Sequence, residues 1–73
     1  MRVRILTDGT IFEGKTPQDL VNQMKNSAPH NIRLTLNEYM EITREWMKEP
    51  EIRTDSPENF LASLEKLGYL VRE

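Results

Sequence analysis

Cysteine is absent from this chain of 73 residues, so neither a disulfide nor a thiolate metal site can supplement its core. The absence fits a reducing compartment, and the cytoplasm is the expected location. Glycine occurs only at positions 9, 14 and 68; two of the three have ready structural uses, and no phosphate-cradling loop can be made from them. No apolar run approaches the roughly 18 residues of a membrane span, and the N-terminus, charged at Arg2 and Arg4, lacks the apolar core of a signal peptide. Neither a leader nor membrane association is therefore expected.

A concentrated basic face is also missing. The ten Lys and Arg residues are scattered along the chain and outnumbered by twelve Asp and Glu, for a formal charge of -2. That balance weighs against a nucleic-acid footprint. Apolar residues at 37% and charged residues at 30% are ordinary for a folded protein rather than a disordered one. At this length one domain, 1–73, is expected, near the size where a single core gives a small surplus over chain entropy, so nearly every large apolar side chain should be needed inside.

The stretch Leu34–Pro50, LTLNEYMEITREWMKEP, reads as the amphipathic helix that organises the rest. Thr35 and Glu38 have capping-box spacing, each side chain able to accept from the other's backbone N–H, and Pro50 supplies the stop. Leu36, Tyr39, Met40, Thr43, Trp46 and Met47 fall on one broad arc that is expected to be buried. Glu38, Glu41, Glu45 and Glu49 fall opposite, with Arg44 and Lys48 at spacings that allow exposed ion pairs. Ile42 is the one apolar residue out of pattern.

Arg2–Gly14 reads as a β-hairpin about Asp8-Gly9, the dipeptide preferred where both central residues need positive φ. A two-residue loop sets Ile5 against Phe12, Leu6 against Ile11, and Arg4 against Glu13 as a cross-strand charge pair. Val3, Ile5 and Phe12 then share the core face. Leu6 and Ile11 share the other, where partial cover by another segment is expected.

Thr16-Pro17 and Ser56-Pro57 each open a shorter helix, with a capping hydroxyl before a proline at the first helical position. Leu20, Val21 and Met24 mark the buried stripe of the first, which should fade near Asn26. Phe60, Leu61, Leu64 and Leu67 mark that of the second, with Gly68 placed to end it in left-handed geometry. Glu51–Thr54 is a candidate edge strand and Tyr69–Arg72 a last strand. The expected fold is α+β: a small antiparallel sheet, made by the N-terminal hairpin and the C-terminal strand, packed against three helices in the order ββ-α-α-(β)-α-β. A hairpin followed by a helix resembles the opening of β-grasp domains, but the later strands of that fold are missing or too short here.

Few residues invite chemistry. His30 is the only histidine and has no acid, Cys or second His at ligand spacing, so an exposed loop residue is the better reading than a base or metal ligand. Ser56 is explained by capping, Ser27 by a loop and Ser63 by a helix. The four glutamates lie along one ridge rather than converging, which suits a solvated face better than a cation site. No catalytic residue, cofactor or metal is expected.

Tyr39 and Trp46 lie at one margin of the apolar arc and Met40 and Met47 at the other. These residue types are enriched at interfaces, and the arc is broad for so small a core. Completing the core is the plainer role for all four; a partner-docking or self-association groove is the functional one, with Leu6 and Ile11 as a further candidate patch. The leading expectation is a non-enzymatic interaction or accessory module working on a protein partner or on its own copy. The alternative is a small DNA-binding transcriptional regulator: a strand with alternating Arg2 and Arg4 ahead of helices resembles ribbon-helix-helix repressors, although here a second strand intervenes and the helical part is acidic.

Overall fold

A computed structural model describes every residue from Met1 to Glu73. Strands β1 (Arg2–Ile5) and β2 (Ile11–Glu13) are followed by helices α1 (Pro17–Asn26), α2 (Leu36–Met47) and α3 (Pro57–Lys66) and by strand β3 (Leu70–Arg72), with a single 3-10 turn at Pro29–Asn31 before α2. The sheet is antiparallel in the order β2-β1-β3, so the strands from the two chain ends lie side by side. The fold is α+β.

Local chemistry sets all three helix starts. The backbone N–H groups of Asp19, Glu38 and Asn59 each donate to the hydroxyl of the capping residue three positions earlier, Thr16, Thr35 and Ser56, at 3.1 Å. In α2 the Glu38 carboxylate returns the interaction by accepting from the Thr35 N–H at 2.8 Å, which completes the capping box. Helix α2 ends at Met47 rather than at Pro50. Lys48 turns left-handed, with φ 56°, and directs its own N–H to Glu45 O and that of Glu49 to Arg44 O, a Schellman closure.

The core is one cluster of ten buried residues: Val3, Leu20, Val21, Met24, Met40, Ile52, Phe60, Leu61, Leu64 and Leu70. Val3 and Leu70 bring the sheet to it, and α1 and α3 supply six of the ten. Ile52 lies in no strand; the expected strand at Glu51–Thr54 does not form. Instead the Arg53 N–H donates to Ser63 Oγ at 3.0 Å, pinning an irregular connection to α3 so that Ile52 plugs the core at 1% exposure.

The hairpin departs from the expected register by two residues. Arg2 faces Glu13, Val3 faces Phe12 and Arg4 faces Ile11, which leaves Leu6 to Gly9 as the loop. Only Gly9 takes positive φ; the Asp8 carboxylate accepts from the Thr10 N–H at 2.9 Å, and this side-chain turn replaces the tight turn that would need both residues left-handed. An even slip preserves the faces, so Val3 and Phe12 still point inward. The Arg4–Glu13 pair is not made: Arg2 and Arg4 both reach Glu73, at 3.5 and 3.2 Å.

Gly14 joins β2 to α1 where a side chain has no room, since a Cβ there would lie 3.0 Å from Asp19 Cβ and 3.1 Å from Leu20 N. Lys25, buried on α1, donates to the Ile32 carbonyl at 3.0 Å and to Asn26 Oδ1 at 2.8 Å. The bond to Ile32 ties the connection between α1 and α2 back onto α1.

Candidate interaction surface

Helix α2 is rotated relative to the face its apolar arc suggests. Met40 is 3% exposed, and Leu36, Tyr39 and Met47 pack half-buried against the core. Trp46, expected inside, is 85% exposed. At roughly 100° per residue, Leu36, Met40 and Met47 share a mean direction from which Trp46 stands about 100° away. Once the helix seats Met40, the indole clears the domain.

Tyr39 marks the boundary between the two regions. Its ring meets Phe60 edge-to-face, with centroids 6.2 Å apart and planes at 62°, a favoured aromatic geometry. Burial pushes its phenol above the usual tyrosine pKa. The Thr43 hydroxyl donates to the Tyr39 carbonyl at 2.8 Å, so its polar group is satisfied on the helix itself.

Ile42 is 47% exposed and precedes Trp46 by four residues, one turn along the same flank. The two side chains form an uncovered apolar ridge that begins at half-buried Tyr39. Ile42, set apart from the buried arc by position alone, was the sequence signal for this ridge: with Trp46 it marks a second apolar flank rather than an irregularity.

Beyond the ridge lies the acidic face. Glu38, Glu41 and Glu45 are exposed, as the helical pattern implies, while Glu49 is half-buried and accepts the Tyr69 hydroxyl's hydrogen bond at 3.2 Å. That bond to a carboxylate raises the Tyr69 pKa. The ion pairs allowed by spacing on α2 do not form. All four ion pairs of the structure lie elsewhere, at Arg2–Glu73, Arg4–Glu73, Arg53–Asp55 and Arg72–Glu65.

The six residues singled out as a candidate surface divide into three groups. Trp46 is exposed with Tyr39 and Met47 half-buried beside it on α2; Met40 belongs to the core and offers no surface. Leu6 and Ile11 are 52% and 44% exposed, without the cover expected of them. Ile11 lies across from Arg4 on the sheet face turned away from Val3 and the helices, with Val71 on Arg4's other side, and Leu6 begins the hairpin loop. They do not join the α2 ridge.

Polar groups elsewhere are already engaged or solvated. His30 is exposed in the 3-10 turn, and no group of three or more His, Cys, Asp or Glu residues converges closely enough to hold a metal ion. Ser63 Oγ both accepts from Arg53 N and donates to Asn59 O at 2.8 Å. A shallow depression beside it, lined by Glu51, Arg53, Asn59 and Lys66 among others, is open to solvent and mixed in charge. No helix is long and apolar enough to cross a membrane. No family model, curated protein or solved structure matches the chain.

Proposed function

We propose that this chain is a non-enzymatic protein-interaction module of the cytoplasm, a small accessory or adaptor protein whose docking face is the Ile42–Trp46 flank of α2. The observation that carries the reading is the 85% exposure of Trp46. A domain this small needs its large apolar side chains inside, yet its single Trp is held outside on a capped helix. Tryptophan is among the residues that most often anchor binding energy at interfaces. Ile42 extends the anchor by a turn, and the half-buried Tyr39 gives it a fixed base.

The test is a selection of displayed random peptides on the immobilised chain, followed by affinity measurements on Trp46→Ala. Selected peptides are expected to bind the parent chain and to lose about thirtyfold or more on the variant, the range of an interface anchor worth ~2 kcal/mol. The unfolding temperature should stay unchanged, because an exposed side chain adds little to folding. Peptides indifferent to Trp46→Ala would overturn the assignment of the face.

DNA binding is the weaker reading. The strand arginines that would have to reach phosphates or bases both sit on Glu73, and the exposed helix face is acidic.

A further inference from the structure

The Trp46 ridge has a charged border of one sign. Counting around α2 at roughly 100° per residue, Ile42 adjoins Glu38 and then Glu45 and Glu41, whereas Arg44 and Lys48 lie about 160° from Trp46, beyond the acidic row. None of these glutamates is in an ion pair. The apolar anchor is therefore bounded on its solvent side by carboxylates that form no ion pair, with the helix's two cations on the far side of the acidic row.

We infer that the occupant of this face is a basic amphipathic segment of another protein, one that lays an apolar stripe over Ile42 and Trp46 and sets Lys or Arg side chains against Glu38, Glu41 and Glu45. The inference rests on the docking reading above and gives it a partner chemistry. Charge complementarity of this kind steers encounter and rejects wrong partners more than it adds affinity. An exposed indole also offers its face to a cation on the incoming segment.

The same border argues against other occupants. In a two-fold pair with antiparallel α2 helices, each flank meets its own counterpart, so a second copy docked on Trp46 would bring glutamates against glutamates. An anionic lipid surface or a nucleic-acid backbone meets the same repulsion.

The experiment uses the full chain and three synthetic helical peptides with an identical leucine stripe and flanks of Lys, Gln or Glu. Binding is read from Trp46 emission, the only indole present, at low and at high salt. The Lys-flanked peptide is expected to bind tightest, to shift the emission to the blue, to weaken with salt, and to lose about tenfold on the double variant Glu41→Lys/Glu45→Lys, which leaves the Glu38 cap intact. If all three bind equally and Trp46→Ala abolishes each, the docking face stands and the basic partner is wrong. Tighter binding of the Glu-flanked peptide also overturns it. If none perturbs Trp46, the docking reading falls together with the inference.

Discussion

Lys48 and Gly68 hold the same position in two helix endings. Each is the left-handed residue after its helix, with φ 56° and 86°, and each is followed by a residue whose N–H reaches back five positions: Glu49 to Arg44 O at 3.3 Å and Tyr69 to Leu64 O at 2.9 Å. Only one is the glycine that this geometry favours. Lys48→Gly is expected to stabilise the chain by about 0.5–1 kcal/mol by removing the Cβ penalty. A Cβ built at Gly68 meets nothing within 4 Å, so Gly68→Ala should destabilise it by about 1 kcal/mol through backbone strain alone. Urea unfolding of the two variants checks the pair, and shifts of the same sign would contradict the shared geometry.

Gly14 is required for a different reason. Its backbone has no positive φ, but a methyl group would press on Asp19 Cβ and the backbone N of Leu20, which are fixed at the start of α1. Gly14→Ala should cost about 1–3 kcal/mol, as for other overpacked contacts. The increase should appear chiefly as faster hydrogen exchange in the first turn of α1; an unchanged unfolding midpoint would mean that β2 and α1 separate freely.

Ser63 is the clasp on the connection between α2 and α3. Ser63→Ala removes the acceptor of the Arg53 N–H and should cost about 1–3 kcal/mol, the penalty for stranding a partly buried donor. Exchange at the Arg53 amide should rise more than elsewhere, because Ile52 loses the bond that seats it. Uniform exchange across the chain would show the clasp to be dispensable.

Stability should fall at both ends of the pH range. The Thr10 backbone N–H holds the Asp8 carboxyl below its ordinary value, and the Asn59 side-chain amide, helped by the Arg53 guanidinium, does the same for Asp55. The unfolded chain therefore takes up these protons first, so their stabilisation is present above about pH 4 and is lost as pH falls through the folded-state values. Tyr39, raised by burial, and Tyr69, raised by its hydrogen bond to Glu49, have the opposite sign: their contribution is full below about pH 10 and lost as pH rises through the folded-state values. Urea midpoints measured against pH check this, with Asp8→Asn and Asp55→Asn flattening the acid limb and Tyr39→Phe the alkaline one. Limbs unmoved by these variants would place the titrations elsewhere.

What could be read from the sequence was set by near neighbours. Thr16-Pro17, Thr35 with Glu38, and Ser56-Pro57 place the helix starts because each cap bonds to an N–H three residues away, and Gly68 places the end of α3 in the same way. The inward face of Val3 and Phe12 followed from alternation, and it survived an error of two residues in register. The features that differ from the sequence pattern depend on distant residues. Glu73, at the far end of the chain, takes Arg4 in place of the expected Glu13 and holds Arg2 as well. Ser63 keeps Ile52 in the core without a strand, and packing on α1 and α3 fixes the rotation of α2. An apolar arc wider than the core can cover does not reveal which margin stays outside, and periodicity alone places the indole in the interior.

The central claim is that α2 seats Met40 and leaves Trp46 in water, available to a partner. Acrylamide quenching of Trp46 in the folded chain at low protein concentration tests it most directly. The expected result is a quenching constant close to that of the same chain in denaturant, with an emission maximum to match. A blue-shifted emission that resists the quencher, and does so independently of protein concentration, would place the indole inside the domain and contradict both the rotation of α2 and the docking face built on it.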